Sequence, residues 1–260
     1  ELPVGEIDLA FFCTPASSNE ALLKQCSQLG ISSAFIASAG YRESGEAGEV
    51  AEASLLKLAN SLGMLIAGPN GQGVVSTPAS LCLQIVAPYP PQGGISVASQ
   101  SGNFVSSFLN YAKQSGVGIA RAISAGNATQ VSVENFLNFF ASDDETKVAL
   151  TYIENVGNGE SLLRAMRNIT AVKPLVVLKG GATAAGSKAA QSHTGAMASN
   201  DRVFLGSTRS SGAIKVSSVE EAFDAAATFA TQPLPRGNRV AVLTTVGGWG
   251  VVTADSIARD

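Results

Sequence analysis

Histidine, cysteine and charge are all scarce in this chain of 260 residues, and each scarcity closes off a class of function. There is 1 histidine. A histidine-based metal centre is therefore excluded, and any imidazole chemistry must use His193. The 3 cysteines, Cys13, Cys26 and Cys82, are odd in number and lack metal-ligand spacing. They read as buried, reduced thiols of a cytoplasmic protein, and no metal site is expected. Charged residues make up 14% and hydrophobic ones 45%, a balance that excludes a disordered chain. Lys and Arg total 17 against 20 Asp and Glu, with no basic segment, so a nucleic-acid surface is not expected. No apolar run approaches the ~20 residues that a membrane-spanning helix needs. The opening Glu1-Leu2-Pro3-Val4 has no basic stretch of the signal-peptide kind.

What the chain does have is glycine, 27 residues of it, many placed just after apolar β-branched runs. That is where α/β proteins put ligand-binding turns. The length suits one large or two ordinary α/β domains. Strands are expected at Ile7–Cys13, Ser33–Ala37 and Met64–Ala67, alternating with helices at Ser18–Leu29 and Glu46–Leu62. Gly30 and Gly63 close those helices as C-caps. The Pro- and Gly-rich stretch 88–94 reads as a linker. The alternation then restarts, with strands at Ile95–Ser99, Gly118–Ser124, Val148–Ile153, Pro174–Lys179 and Ile214–Val216. Helices are expected at Gly102–Gln114, Val133–Phe140, Gly159–Ile169, Val203–Ser211 and Ser218–Ala230. After a second linker at Pro233–Gly237, a strand at Arg239–Thr245, a turn at Gly247–Gly250 and a helix at Val251–Arg259 look like the start of a third unit. The fold class is α/β with parallel sheets. The expected units are 1–87, 95–232 and 238–260, within a longer polypeptide.

Five constellations carry candidate chemistry. In the first, a strand ends at Lys179 and opens into a loop of small residues that runs through Lys188 to His193, Thr194 and Gly195. Such a loop approaches a ligand closely, and an imidazole is a competent nucleophile at neutral pH. A lone histidine is by default a surface or satisfied core residue; the small-residue setting shifts the balance toward function. In the second, Ser99-Gln100-Ser101-Gly102-Asn103 joins a strand to a helix. It is either an anion site on a helix N-terminus or plain N-capping by serine. The third is Glu154 at a strand end, a carboxylate able to orient an imidazole but by default a solvated loop glutamate, with Gly126-Asn127 at an equivalent strand end, a ligand turn or a plain one. The fourth is Gly68-Pro69-Asn70-Gly71-Gln72-Gly73, a nucleotide-type turn or an ordinary one. The fifth is Gly247-Gly248-Trp249-Gly250 ahead of a helix, a weak anion-site signal.

Taken in order along the chain, these motifs resemble the ADP-forming acyl-CoA synthetase family, related to the succinyl-CoA synthetase alpha subunit. Gly68-Pro69-Asn70 is similar to that family's CoA-domain motif, and Ser99-Gln100-Ser101-Gly102 to its phosphate-binding helix start. Glu154 is similar to the glutamate that orients its histidine, and Ser192-His193-Thr194-Gly195-Ala196 to its phosphohistidine motif. Gly247-Gly248-Trp249-Gly250 is similar to a second helix start. Departures are Gly71 where Cys or Ser is common, Trp249 where Pro is common, and no opening Gly-rich CoA turn.

The resemblance implies a Rossmann-like CoA-binding domain followed by a flavodoxin-like domain. It implies a reversible reaction in which ATP, a small carboxylic acid and CoA give ADP, phosphate and acyl-CoA. His193 and Glu154 are then catalytic. Ser99, Gln100, Ser101, Gly102, Asn103, Gly126, Asn127, Gly247 and Gly248 bind phosphate, and Pro15, Ser38, Ala39, Asn70 and Gly71 bind CoA. ATP or ADP and Mg belong to an ATP-grasp domain or subunit outside this chain, and the assembly is expected to be oligomeric. The competing reading is a non-catalytic CoA-responsive module fused to an acetyltransferase; retention of His193 with Glu154 favours the enzyme. A redox-sensing repressor lacks its basic recognition helix.

Overall fold

The computed structural model describes residues 3–86, 88–183, 186 and 201–259. The first unit runs β1 (Leu9–Phe12), α1 (Ala16–Gln28), β2 (Ser33–Ile36), a single 3-10 turn (Arg42–Ser44), α2 (Glu46–Ser61) and β3 (Leu65–Ala67). Its three strands are parallel, in the order β1-β2-β3. Each helix buries one stripe at helical spacing, Asn19, Leu23 and Cys26 from α1 and Glu52, Leu55 and Ala59 from α2. These apolar side chains meet Ile36 and Ile66 of the sheet in one core. Gly30 and Gly63 both follow helices with positive φ, as C-cap glycines should.

The second unit holds β4 (Gly73–Ser76), β5 (Leu81–Gln84), β6 (Gln92–Ser99), α3 (Gly102–Ser115), β7 (Ile119–Ser124), α4 (Val133–Ser142) and β8 (Val148–Ile153). It continues with α5 (Gly159–Thr170), β9 (Leu175–Lys179), α6 (Asp201–Ser211), β10 (Ile214–Val216) and α7 (Val219–Thr231). The sheet order is β10-β9-β8-β6-β7-β4-β5. Strands from β10 through β7 are parallel, while β4 runs antiparallel to both β7 and β5. Successive residues face opposite layers. Val97 and Leu150 pack with Val105 and Phe108 of α3 and Phe223 of α7. Ala98 and Ala149 pack with Leu137 of α4, Met166 of α5 and Phe204 of α6. Both faces are covered, which is why β8 is buried at every position. The chain goes from β6 outward to β7 and then crosses back to β8, so the order reverses at β6. Ligands of open α/β sheets bind at the carboxyl ends of strands at such a reversal.

Five expectations need correction. The hairpin β4–β5 was not anticipated, and it pairs with the second sheet, so the expected unit 1–87 does not coincide with one sheet. Its strands are 4 residues each and hold too little pattern to announce themselves. The expected linker 88–94 ends early, because Gln92–Gly94 already belong to β6. The stretch 239–245 forms no strand ladder, with Leu243 fully exposed and Val240 65% exposed. Its β-branched residues have no neighbouring strand among the described residues to pair with. The glycines at 247–250 form the first turn of α8 (Gly247–Arg259) and no separate turn precedes it. Of the thiols, Cys26 is buried, whereas Cys13 lies beyond the end of β1 and Cys82 points outward from the edge strand β5, both exposed. Among the described residues no helix is long and apolar enough to cross a membrane, and no cluster of metal-ligating side chains occurs.

Candidate functional site

The carboxyl ends of β6, β7 and β8 meet at a polar cleft of about 420 Å³. Its lining includes Asn70, Gln100, Ser101, Gly102, Asn103, Gly126, Asn127 and Glu154, eight of the residues singled out from sequence. It also includes Gln72 of the Gly68–Gly73 motif, and Arg42, Glu43 and Glu49, on which no motif fell.

The end of β6 is shaped by Ser99. Its hydroxyl donates to the Ser101 carbonyl (2.7 Å) and accepts from the Ser101 N–H (3.1 Å). Ser99 is fully buried, so it folds the turn and does not face the cleft. Ser101 is the N-cap residue of α3, yet its side chain makes no capping bond. The plain N-capping alternative is thus not realised. The first turn of α3 instead presents backbone N–H groups and the positive end of a helix dipole to the cleft. Gln72 lies over that turn, donating to Asn103 Oδ1 (2.8 Å) and accepting from the Ser106 hydroxyl (2.6 Å).

Gln100 points from the same turn to the end of β8. Its Oε1 accepts from the N–H groups of Glu154 (2.7 Å) and Asn155 (2.9 Å), and its Nε2 donates to the Asn155 carbonyl (2.8 Å). The side chain expected to hold phosphate is therefore committed to the Glu154 loop. Lys179 Nζ donates to the Glu154 carbonyl (2.9 Å). Burial pushes this ammonium below its ordinary range, opposed by nearby Asp201 and Glu154. Burial, with the Glu154 charge second, pushes the neighbouring Tyr152 phenol above its ordinary range.

The end of β7 is where the two units are joined. Gly126 has φ +57°, and a Cβ there would stand 2.2 Å from the Pro69 carbonyl oxygen. Only glycine lets the Gly68–Asn70 turn lie this close. Asn127 Nδ2 donates to Glu43 (2.7 Å) and to Glu52 (2.7 Å), and its Oδ1 accepts from Asn70 Nδ2 (3.3 Å). Arg42 donates to the Asn127 carbonyl and pairs with Glu52 at 3.6 Å. Burial raises the Glu43 carboxyl, but hydrogen bonds from Asn127, Tyr41 and Gly40 outweigh it and hold the group below its ordinary value. These partners lie up to 85 residues from Asn127 in sequence, so spacing could not reveal them.

The remaining candidates sit elsewhere. Pro15 and Ala39 are exposed and Ser38 half-buried, at the carboxyl ends of β1 and β2 outside this cleft. Ser38 donates to the Thr14 carbonyl (2.5 Å) and accepts from Asn19 (3.2 Å). Pro15 precedes α1, whose first turn has no acidic residue and no side-chain cap. Gly71 is buried against the Phe35 ring and the Ser124 carbonyl, while Asn70 beside it lines the cleft. Gly247 and Gly248 begin α8 and do not line the cleft, and Trp249 is 70% exposed. His193 and Lys188 lie outside the described residues.

Comparison with known proteins follows the same outline. A family model described as the succinyl-CoA ligase-like flavodoxin domain matches residues 92–229. Acetate–CoA ligase [ADP-forming] II subunit alpha of Pyrococcus furiosus is 34% identical over 259 residues, covering 100% of this chain and 56% of that protein. The 4-hydroxybutyrate–CoA ligase [ADP-forming] of Nitrosopumilus maritimus is 32% identical, over 97% of this chain and 37% of its own length. Among solved structures, dinucleotide forming acetyl-coenzyme A synthetase 1 of Ca. Korarchaeum cryptofilum, in complex with phosphate and ADP, superposes with a TM-score of 0.94 at 30% identity. That match covers 100% of this chain and 56% of the other, so the chain spans little more than half of the relatives that match it end to end.

Proposed function

This chain belongs to the succinyl-CoA ligase-like, ADP-forming acyl-CoA synthetase family, and we propose that it is the CoA-binding and phosphohistidine-bearing part of such an enzyme. The full polypeptide converts ATP, a carboxylic acid and CoA to ADP, phosphate and acyl-CoA. One observation carries the reading. The N-terminal turn of α3 and Glu154 open into one cleft, from strands that flank the reversal of the sheet. A transferring phosphoryl group needs oriented donors and a positioned acceptor. The backbone N–H groups of Gly102 and Asn103 supply the donors, and His193 is the acceptor. Glu154 accepts the other ring N–H of that imidazole, fixes its tautomer and stabilises its positive form. Asn127 and Gly126 form the third wall, and α8, opening at Gly247 and Gly248, is the second helix start.

Units 1–87, 95–232 and 238–260 are retained here as functional divisions, with the β4–β5 hairpin bridging the first two. CoA is assigned to the ends of β1 and β2. Residues 13–15 and 39–40 are exposed there beside the uncapped, acid-free first turn of α1, which suits a pyrophosphate. Pro15, Ser38 and Ala39 line that strip, with Asn70 and Gly71 at the turn leading from it. Nucleotide and Mg belong to an ATP-grasp domain or subunit, and the assembly is a cytoplasmic oligomer.

The test uses the full-length protein with γ-labelled ATP in the absence of acid. Acid-labile, base-stable label should appear on His193, and His193→Ala should lose both label and acyl-CoA synthesis. Label on a serine, or full synthesis by His193→Ala, would overturn the proposal.

A further inference from the structure

We infer that Arg42 is a substrate-binding residue, whose guanidinium takes the carboxylate of the acid as it enters the cleft to meet the phosphorylated histidine. The inference rests on the acyl-CoA synthetase reading and deepens it with a residue on which no motif falls.

Arg42 opens the 3-10 turn that follows β2, just beyond the Ser38–Ala39 strip assigned to CoA. Its place is fixed from several sides. A Cβ on Gly48 would stand 1.8 Å from the Tyr41 carbonyl oxygen, so α2 packs directly on the peptide before Arg42. The Arg42 N–H donates to Glu52 Oε2 (3.2 Å), and Nη1 lies 3.6 Å from Oε1 of the same carboxylate. The guanidinium also donates to the Asn127 carbonyl, across the junction with the second unit. The Glu52 side chain is 7% exposed, and Arg42 supplies the opposite charge that its burial calls for. Backbone and head group are thus both held, which reduces the entropy lost when the guanidinium takes a ligand.

A guanidinium has five N–H donors, and these partners leave several of them free. The side chain is 47% exposed and lines the polar cleft together with Gly102, Asn103 and Glu154. Among the described residues that line the cleft it is the one cation, set against the carboxylates of Glu43, Glu49 and Glu154. The acid and the phosphate are both anions, and a cleft with that balance repels them unless donors are placed for each. The first turn of α3 is assigned to the phosphate, and the phosphates of CoA to strand ends outside the cleft. The carboxylate of the acid is the anion that remains. Arg42 is the charged donor that remains, with a planar fork that fits two carboxylate oxygens. From that seat one carboxylate oxygen attacks the phosphorus while the P–N bond to His193 breaks and its electron pair returns to the ring. The acyl phosphate so formed lies beside the turn that leads from the CoA strip.

The experiment follows two half-reactions of the full-length enzyme: labelling of His193 from γ-labelled ATP, and release of that label by acetate, isobutyrate, phenylacetate or succinate. Arg42→Gln removes the charge and the fork. It should raise the acid concentration for half-maximal release about 10–100-fold, the range for one charged, hydrogen-bonded pair. Labelling, which needs no acid, should slow less than about threefold, and KM for CoA should change less than about threefold. Arg42→Lys, which keeps a point charge without the fork, should fall between Arg42→Gln and the wild type. Should Arg42→Gln not fold, Arg42→Lys carries the test alone, with an expected rise of about 3–10-fold. An acid requirement within about twofold of wild type would overturn the inference alone. So would labelling slowed as much as release, which marks a structural role, or a KM for CoA that rises in place of the acid requirement. No label on His193 in the wild type, or label that none of these acids releases, would overturn the synthetase reading and the inference with it.

Discussion

Gln100 is the residue whose replacement separates support from ligand binding. Its side-chain amide makes three hydrogen bonds to the backbone of Glu154 and Asn155. Each such bond contributes about 0.5–1.5 kcal/mol net, so Gln100→Ala removes about 1.5–4.5 kcal/mol if water does not replace it. The cleft is open to water, which compensates in part, and about 2–3 kcal/mol is expected. For a chain of this size that lowers the melting temperature by about 4–12 °C. Gln100→Glu sharpens the reasoning. A carboxylate still accepts the two N–H bonds, but it faces the Asn155 carbonyl that Nε2 now meets at 2.8 Å. It should therefore destabilise at neutral pH and recover as the pH falls and the new carboxyl protonates to become a donor. Thermal unfolding at several pH values measures both effects. A melting temperature for Gln100→Ala within about 1 °C of wild type would refute the latch. So would a Gln100→Glu variant whose deficit is the same at acid and neutral pH.

Two further perturbations test the junction between the units. Gly126→Ala forces a Cβ into positive φ and onto the Pro69 carbonyl, 2.2 Å away, and should cost about 2–4 kcal/mol in urea unfolding; a cost under about 0.5 kcal/mol would mean that the Gly68–Asn70 turn yields freely. The Glu43 carboxyl is held below its ordinary 4.5 by Asn127 and backbone N–H groups despite burial, so its stabilisation is present above that value and lost as pH falls through the lower folded value. Glu43→Gln should flatten the acid limb of the stability–pH curve, and an unchanged limb would remove Glu43 from the network.

The parallel core of the fold was legible because its strands are buried on both faces. Val148–Ile153 is an unbroken apolar and β-branched run, and its bounds read from sequence are those of β8. Leu162, Ala165, Met166 and Ile169 mark the buried side of α5 with helical spacing. The hairpin was illegible for the opposite reason. Its strands β4 and β5 are four residues long, half-buried and antiparallel, and they owe their place to pairing with Ser76–Arg121 and its neighbours, a contact across 45 residues. The stretch 239–245 shows the converse, strand composition without a partner strand among the described residues. Propensity names what a segment can become, and pairing decides whether it does.

The site was legible wherever it is made of backbone. Turn glycines and a helix start at Ser101 are local features, and strand ends at Gly126 and Glu154 follow once the strands are found. What escaped is the layer of side chains that holds them: Glu43, Glu52 and Arg42 around Asn127, and the bonds by which Gln72 reaches Asn103 and Ser106 of α3. These pairs are set by packing between distant elements, so no motif spacing encodes them. Their chemistry also explains why Asn127 and Gln100 read as ligands. Amides at strand ends suit phosphate binding and backbone bracing equally, since each carries both donors and an acceptor. Geometry divides the two roles here. Gln100 spends both of its polar atoms on Glu154 and Asn155, and Asn127 spends both of its own on Glu43, Glu52 and Asn70, so the phosphate recognition proposed for this cleft rests on the backbone of α3. A dianion held by main-chain N–H groups is insensitive to the identity of Asn103 and sensitive to any substitution that displaces the first turn, Phe104 above all.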